Sequence, residues 1–181
     1  MRRVIVGPID LAKGAPPVSS NQLPFDAATY RQVLGHFPTG VTVITAVNDG
    51  MPVGLAVGSF ASLSLDPPLV LFCPGGQSSS WPKIRATGSF CVNVLGADQE
   101  HVCRVFAGKD PDKFASIEWS TTEHTGSPKI GGVLAWIDCD IEQVLPGGDH
   151  DIVIGRIRNL GSDDHAGPLV FYRGGYGHYE V

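Results

Sequence analysis

The sequence predicts a mainly β fold, an antiparallel barrel with a few short helices. Segments rich in β-branched residues follow one another directly, without a helix between each pair, which is typical of antiparallel rather than doubly wound sheets. The 23 glycines and 14 prolines imply frequent turns, so strands should outnumber long helices. Residues 135–142 alternate apolar and polar side chains with the period of two expected of a strand with one buried face.

Composition excludes several classes of protein. Hydrophobic residues make up 43% of the chain and charged residues 17%, which is enough apolar material for a core and argues against disorder. The net charge of −5 is spread without a basic block, so a nucleic-acid surface is not expected. No apolar run approaches the roughly 20 residues that span a bilayer, and the first residues lack the pattern of a secretory signal. We therefore expect a cytoplasmic protein with no nucleic-acid or membrane partner.

The chain divides into an arm and one domain. Residues 1–24 are rich in Pro, Gly and Ser and predict a flexible or wrapping N-terminal arm, and residues 25–181 predict a single domain. Asp26 is the expected N-cap of a helix that runs to about His36, because apolar side chains follow it at helical spacing.

Strand patterns account for most of the remaining chain. Asn48-Asp49-Gly50 predicts the turn of a hairpin, Asp66-Pro67-Pro68 predicts a break, and residues 108–132 are polar and irregular in pattern. The predicted strands are 41–47, 53–61, 69–73, 90–95, 135–142, 152–157 and 169–172, and the further predicted helices are 78–86 and 98–107.

The cysteines and histidines predict neither a disulfide framework nor a metal centre. Cys73, Cys91, Cys103 and Cys139 form no Cys-x-x-Cys pair, and we expect buried, reduced thiols. The His/Asp groups at 149–151 and 163–165 have no further ligand spaced to join them, so no metal site is predicted.

The usual nucleotide-binding glycine motifs are absent, so any cofactor must be held in another way. Two hydroxyl-rich segments are candidates for binding an anion. In residues 58–64, Ser62 and Ser64 would share one face of a strand beside free backbone N–H groups. Residues 77–81, Gln-Ser-Ser-Ser-Trp, would open a helix, and a helix N-terminus attracts anions. The alternative for either segment is ordinary capping and turn chemistry.

Five segments in this order resemble one known family. They are HFPTGVTVIT at 36–45, GLAVGSFASLSLDPPLV at 54–70, FCVNVL at 90–95, GDHDIVIG at 148–155 and PLVFYRGGY at 168–176. Together they resemble the flavin reductase-like domain, and in particular the small reductase components of two-component flavin-dependent monooxygenases. The resemblance covers roughly residues 27–179.

The resemblance implies an FMN-binding split β-barrel of Greek-key type, usually a homodimer with the flavin in a groove near the dimer interface. It also implies transfer of hydride from NADH or NADPH to FAD or FMN, and delivery of the reduced flavin to a partner monooxygenase. No Arg cluster marks a 2′-phosphate site, which favours NADH. FAD and FMN stay open, since both present the same ring and first phosphate. The alternatives are a flavin-retaining oxidoreductase with another acceptor and a non-enzymatic flavin or haem binder.

The resemblance also implies which residues bind the cofactors. The flavin would meet Pro38, Thr39 and Gly40 at the ring, Val57, Gly58, Ser59 and Phe60 along the ring and ribityl chain, Ser62, Ser64, Ser79 and Ser80 at the phosphate, and Phe90 and Asn93 along the wall. Lys83 or Arg85 would supply a cation, and Tyr172 and Tyr176 would join His150 at the nicotinamide.

His150 is the candidate catalytic residue. Hydride transfer between the two cofactors needs no protein nucleophile, so the protein supplies geometry and electrostatics. His150 stands between Asp149 and Asp151 after a Gly-Gly turn, and we hypothesise that it positions the nicotinamide ribose or meets the charge developing on the flavin. A general-acid role is an option, because a nearby carboxylate raises the pKa of a histidine. The alternative is an exposed turn histidine.

Overall fold

The computed structural model describes residues 24–163 and 165–179. The predicted arm over 1–24 therefore lies outside the described residues except for Pro24. The described helices are α1 (Ala27–Leu34), α2 (Trp81–Thr87) and α3 (Glu100–Ala107). Within the described part of the chain, no helix is long and apolar enough to cross a membrane.

The rest of the regular structure is strand. The strands are β1 (Thr39–Gly40), β2 (Thr42–Asn48), β3 (Met51–Val57), β4 (Ala61–Leu65), β5 (Pro68–Phe72), β6 (Ser89–Val94), β7 (Trp119–Thr121), β8 (Pro128–Ile130), β9 (Ala135–Gly147), β10 (His150–Ser162), β11 (Leu169–Tyr172) and β12 (Gly175–His178). Seven of them form one sheet in the order β3-β2-β6-β9-β10-β5-β4, with β1-β11-β12 and β7-β8 as smaller sheets. All the pairings are antiparallel, so the predicted mainly β, antiparallel architecture is confirmed.

The hairpin of β9 and β10 is the longest unit, with 13 residues in each strand. Two shifts of register bend it, one of them between Ile154 and Gly155, as bulges do in antiparallel pairs. The two-residue hairpin turn at Gly148-Asp149 places His150 at the start of β10, paired with Gly147.

Several element boundaries differ from the prediction. Asp26 is the N-cap of α1, since its carboxylate accepts a hydrogen bond from the Thr29 N–H at 2.7 Å, but the helix ends at Leu34. The single strand predicted over 53–61 is two strands separated by a turn at residues 58–60. The predicted helix over 78–86 begins three residues later, at Trp81. Strands β7 and β8 lie in the segment predicted to be irregular, and β12 lies in the Gly-rich end where no strand was predicted.

Phe90 and Asn93 lie in the interior, which corrects their predicted place on the cofactor wall. The Phe90 ring is fully buried with its centroid 5.1 Å from that of Phe72. Asn93 Nδ2 donates to the Thr45 hydroxyl at 3.0 Å, and Asn93 Oδ1 accepts from the Ile130 N–H at 2.8 Å. Because β6 is covered on both faces, the Phe90 side chain fills the core and the Asn93 amide satisfies buried polar groups.

The four cysteines are free, as predicted, and Cys91, Cys103 and Cys139 are buried. Burial raises the pKa of the Cys91 thiol to about 12, so this thiol is inert near neutral pH. Cys73 departs from the prediction: it is half-buried and lines a cleft.

Candidate functional site

A cleft of about 650 Å³ lies where the end of β3, the loop before α2 and the end of α3 meet. Its lining combines backbone, small hydroxyl side chains and two lysines. The lining residues are Leu55, Ala56, Val57, Gly58, Ser59, Cys73, Gly75, Gln77, Ser78, Ser79, Ser80, Phe106, Ala107, Gly108, Lys109, Lys113 and His150. The first five come from the end of β3 and the turn after it, and they include Val57, Gly58 and Ser59, which the family resemblance places at the ring and ribityl chain.

The turn after β3 is held in place by Ser59. The Ser59 hydroxyl donates to the Cys73 carbonyl at 3.0 Å and accepts from the Cys73 N–H at 2.9 Å. These bonds engage the Ser59 side chain and leave the backbone of the turn facing the cleft. A Cβ at Gly58 would stand 2.9 Å from Thr39 Oγ1, so only glycine lets β1 approach the turn this closely.

The three serines before α2 have different roles. The Ser78 hydroxyl accepts a hydrogen bond from the Trp81 N–H at 3.2 Å and so caps the helix. Ser80 occupies the N-cap position but makes no side-chain cap bond, and Ser79 is exposed. Ser79 and Ser80 therefore present free hydroxyls to the cleft, as donors for an anionic group.

Lys109 and Lys113 bring positive charge to the same end of the cleft. Lys113 Nζ donates to the Phe106 carbonyl at 2.8 Å and the Gly54 carbonyl at 3.3 Å, and burial lowers the pKa of its ammonium group. Sequence reasoning missed both lysines because they lie in the segment without a periodic pattern. The available signal was their position just after the amphipathic helix α3, which delivers them to the cleft.

Of the two cations that the family resemblance implies, Lys83 and Arg85, Lys83 is the one that lies near the free serines. Lys83 lines a smaller cavity together with Ser79 and Ser80. Arg85 instead pairs with Asp151, whose carboxylate lies 3.6 Å from the guanidinium and also accepts from the Trp81 indole N–H at 2.7 Å.

His150 lies on the other side of the cleft, since the two neighbouring cavities that it also lines contain neither the free serines nor the lysines. Its Nδ1–H donates to the Asp149 carboxylate at 2.8 Å, and this hydrogen bond lowers the pKa of Asp149. A Cβ at Gly75 would stand 3.5 Å from His150 Nε2, so the glycine leaves the ring edge open. His150 also lines a neighbouring cavity of about 780 Å³ with Tyr30 and Arg31 of α1. It can therefore contact ligands from two sides.

Ser62 and Ser64 do not line this cleft, and the strand that carries them contains a bulge. Ser62 pairs with Val70 and Ser64 pairs with Leu69, which are adjacent residues of β5. Adjacent residues of a strand point to opposite faces, so the two serines do not share a face as predicted. Phe60 likewise does not line the cleft, and its side chain packs against the core.

The remaining predicted residues lie beside the cleft on the small sheet. Pro38 precedes β1, where Thr39 and Gly40 pair with β11. Tyr176 lines an apolar cavity of about 170 Å³ that shares Gly58 with the main cleft. The Tyr176 hydroxyl lies 3.3 Å from the Cys103 thiol, and this hydrogen bond raises the pKa of Tyr176 to about 12. Tyr172 is exposed and contacts the His36 ring edge at a centroid distance of 6.4 Å.

The site has no group of residues suited to a metal. In the part of the chain that the structure describes, no cluster of three His, Cys, Asp or Glu side chains is positioned to hold a metal ion. What the cleft offers is an apolar floor, exposed backbone, two free hydroxyls and ammonium groups at one end, and an imidazole at the other. This arrangement suits an elongated ligand with a flat body and an anionic tail.

Comparison with known proteins relates the whole domain to one family. A family model described as the flavin reductase like domain matches residues 34–180. The chain is 53% identical over 151 residues to the reductase subunit HsaB of a flavin-dependent monooxygenase from Rhodococcus jostii strain RHA1, covering 83% of this chain and 77% of that protein. It is also 53% identical over 153 residues to a flavin reductase from Pseudomonas putida, covering 84% and 89%.

Solved structures agree with these relatives. The component B homologue of nitrilotriacetate monooxygenase from Mycobacterium thermoresistibile matches with a TM-score of 0.82 and 52% identity, over 84% of this chain and 86% of that one. The NADH:FAD oxidoreductase SgcE6 of Streptomyces globisporus C-1027, in complex with NAD and FAD fragments, matches with a TM-score of 0.82 and 36% identity, over 86% and 93%.

Proposed function

The chain belongs to the flavin reductase-like domain family, and from that premise we propose that it transfers hydride from NADH, rather than NADPH, to FAD or FMN. The reduced flavin then serves a partner monooxygenase. The observation that carries the proposal is the single cleft that joins free hydroxyls and lysines at one end to His150 at the other. The reductase relative from Rhodococcus jostii, named as a monooxygenase subunit, supports the partner assignment.

The residues of the cleft fit a flavin. The exposed backbone after β3 and the apolar side chains of Leu55 and Val57 suit the flat ring. Ser79, Ser80 and Lys113 supply neutral and cationic donors for the phosphate. Gly58 permits the close approach of β1 to the ring-binding turn.

The protein's part in the reaction is to bind, orient and stabilise. When bound, the flavin supplies the electron-accepting chemistry, and the two cofactors carry the hydride transfer. Val57 and Gly58 orient the ring through backbone groups, while Ser79 and Ser80 anchor the tail and so fix the position of the ring along the cleft. Asp149 accepts the Nδ1–H of His150 and thereby holds the imidazole with Nε2 towards the cleft.

Steady-state oxidation of NADH at 340 nm, with FAD, FMN or no added flavin, tests this function. A rate that saturates with added flavin supports a reductase that releases its product. A flavin-independent rate would indicate a retained flavin and another acceptor. The absence of a rate with NADH and NADPH would leave a binding protein on the same barrel.

Replacing His150 with alanine is expected to lower kcat/KM for NADH about tenfold or more, since positioned side chains of this kind contribute at least that much. The Kd for the flavin should change little, because the anchoring hydroxyls and lysines lie at the other end of the cleft. Stopped-flow reduction and flavin titration separate the two effects. His101→Ala, which changes an exposed histidine on α3, is the matched control. Unchanged NADH kinetics in the His150 variant would identify an ordinary turn histidine.

A homodimer and a cytoplasmic location complete the proposal. Helix α1 buries none of its residues, and Tyr30, Val33 and Leu34 are exposed by 53%, 60% and 52%, which suits an interface with a second copy. The free cysteines suit a reducing compartment, where reduced nicotinamides are also supplied. Light scattering on the purified protein tests the dimer.

A further inference from the structure

A second cavity of about 200 Å³ continues from the anion-binding end of the main cleft. The two share Ser79, Ser80, Lys109 and Lys113, so they meet at the free hydroxyls. Beyond this junction the second cavity is bounded by Lys83 of α2 and by the start of β3. A ligand anchored at the two serines can therefore extend directly into this cavity.

The second cavity is strongly cationic. Three ammonium groups, of Lys83, Lys109 and Lys113, face one carboxylate, that of Asp110, which accepts a hydrogen bond from the Asp112 N–H at 2.9 Å. Among the residues that the structure describes, none of the three lysines forms an ion pair. Like charges gathered around one cavity repel one another, and an anionic ligand would relieve that repulsion.

The hydrogen bonds of Lys113 leave room for a further acceptor. An ammonium group has three donors, and Lys113 directs two of them to the backbone carbonyls of Phe106 and Gly54. Those bonds fix a half-buried positive charge at the junction of the two cavities. Lys83 and Lys109 are exposed, so their flexible side chains can adjust to the position of an anionic group of the ligand.

We propose that this lysine pocket, formed by Lys83, Lys109 and Lys113, binds the second phosphate of a flavin dinucleotide, so that the enzyme selects FAD over FMN. The inference rests on the proposed function and deepens it. The tail of FMN ends at the phosphate anchored by Ser79, Ser80 and Lys113, and leaves the far side of the pocket, at Lys83, without an anion. FAD continues from that phosphate to a second one, which would lie between the lysines.

The 2′-phosphate of NADPH is the other source of the same chemistry. A lysine pocket that bound it would discriminate NADPH from NADH and would be indifferent to the flavin. The two sources therefore predict opposite patterns of selectivity, and a double lysine variant compared with the wild type distinguishes them.

The test compares the wild type with the double variant Lys83→Gln/Lys109→Gln, which removes only exposed charges and should fold normally. Equilibrium titrations with FAD and with FMN, followed by flavin fluorescence without nicotinamide, give the two Kd values. We expect the wild type to bind FAD about tenfold tighter than FMN at low salt, and the double variant to reduce this ratio of Kd values about fivefold. The FAD preference should narrow as KCl is raised, because salt screens exposed charges.

Lys129→Gln is the matched control, since Lys129 lies over the Trp136 ring, 5.3 Å from its centroid, and does not line the cleft or the lysine pocket. Equal Kd values for the two flavins in the wild type would overturn the proposal. So would an equal loss for FAD and FMN in the double variant, or a change confined to the NADPH/NADH ratio of KM values.

The failure of the proposed function would look different. If neither flavin is reduced by NADH or NADPH, the reductase function is wrong, whereas the binding ratio still reports on the pocket. If both flavins are reduced but bind equally well, the function stands and only the dinucleotide selectivity is wrong.

Discussion

Replacing Ser79 and Ser80 together with aspartate is expected to raise the Kd for FAD and FMN by about 100-fold, because like charges brought together in a binding site cost several kcal/mol. Both hydroxyls are free in the structure, since Ser78 makes the helix cap instead. The carboxylates would stand where the phosphate is proposed to bind. Flavin titration by fluorescence, together with the KM for flavin in the NADH assay, measures the effect.

The control for this variant is Ser120→Asp, which places a carboxylate on the exposed strand β7, away from the cleft. Its flavin affinity should match that of the wild type, and thermal unfolding of both variants should show that α2 is intact. An unchanged Kd in the double aspartate variant would contradict the assignment. In that case Ser62→Asp and Ser64→Asp become the informative variants, because these were the other serines predicted at the phosphate.

The two pairs of serines show what a sequence pattern can and cannot predict. Ser79 and Ser80 precede a helix, and a helix start has a local signature, so their exposure to the cleft could be anticipated. Ser62 and Ser64 were assigned to one face by strand alternation, which holds only while the pairing is regular. The bulge that separates them has no local signature in the sequence, and one extra residue reverses the face of every residue after it.

Two lysines of the cleft and the buried Asn93 show a second limit of prediction from the sequence. Lys109 and Lys113 reach the cleft because α3 packs against β3; the amphipathic pattern of α3 indicates that this helix packs, but not against which strand. Asn93 lies in a segment that matches the family, and the match indicated a place in the fold but not a role. Its amide is engaged by Thr45 and Ile130, so the same residue type serves the core.

Replacing Gly155 with alanine is expected to destabilise the fold by about 1–3 kcal/mol, the usual cost of adding a methyl group to a packed core. A Cβ at this position would overlap Cζ of Phe90, and it would stand 3.0 Å from Phe90 Cε1 and 3.3 Å from the Cβ of Cys139. Phe90 cannot move aside, because its ring is fully buried against Phe72. Chemical denaturation gives the free energy of unfolding.

Gly177→Ala is the control, since a Cβ there meets no atom within 4 Å. Its free energy of unfolding should stay close to that of the wild type. If the Gly155→Ala variant were as stable as the wild type, β10 would have to shift to admit the methyl group.

The double variant Gly155→Ala/Phe90→Leu decides what Phe90 does. If Phe90 fills the space that Gly155 leaves, replacing the ring with the smaller leucine side chain relieves the overlap. The loss of unfolding free energy in the double variant should then be smaller than the sum of the two single losses by about 1 kcal/mol. If Phe90 were instead part of the cofactor wall, as the family pattern implied, the Phe90→Leu change would weaken flavin binding and the two effects on stability would add. Because β10 also begins with His150, a shift of the strand at Gly155 would be transmitted towards the cleft. We therefore expect the double variant to have higher NADH turnover, as well as higher stability, than the Gly155→Ala single variant. Such a result would link the packing of Phe90 against β10 to the position of His150.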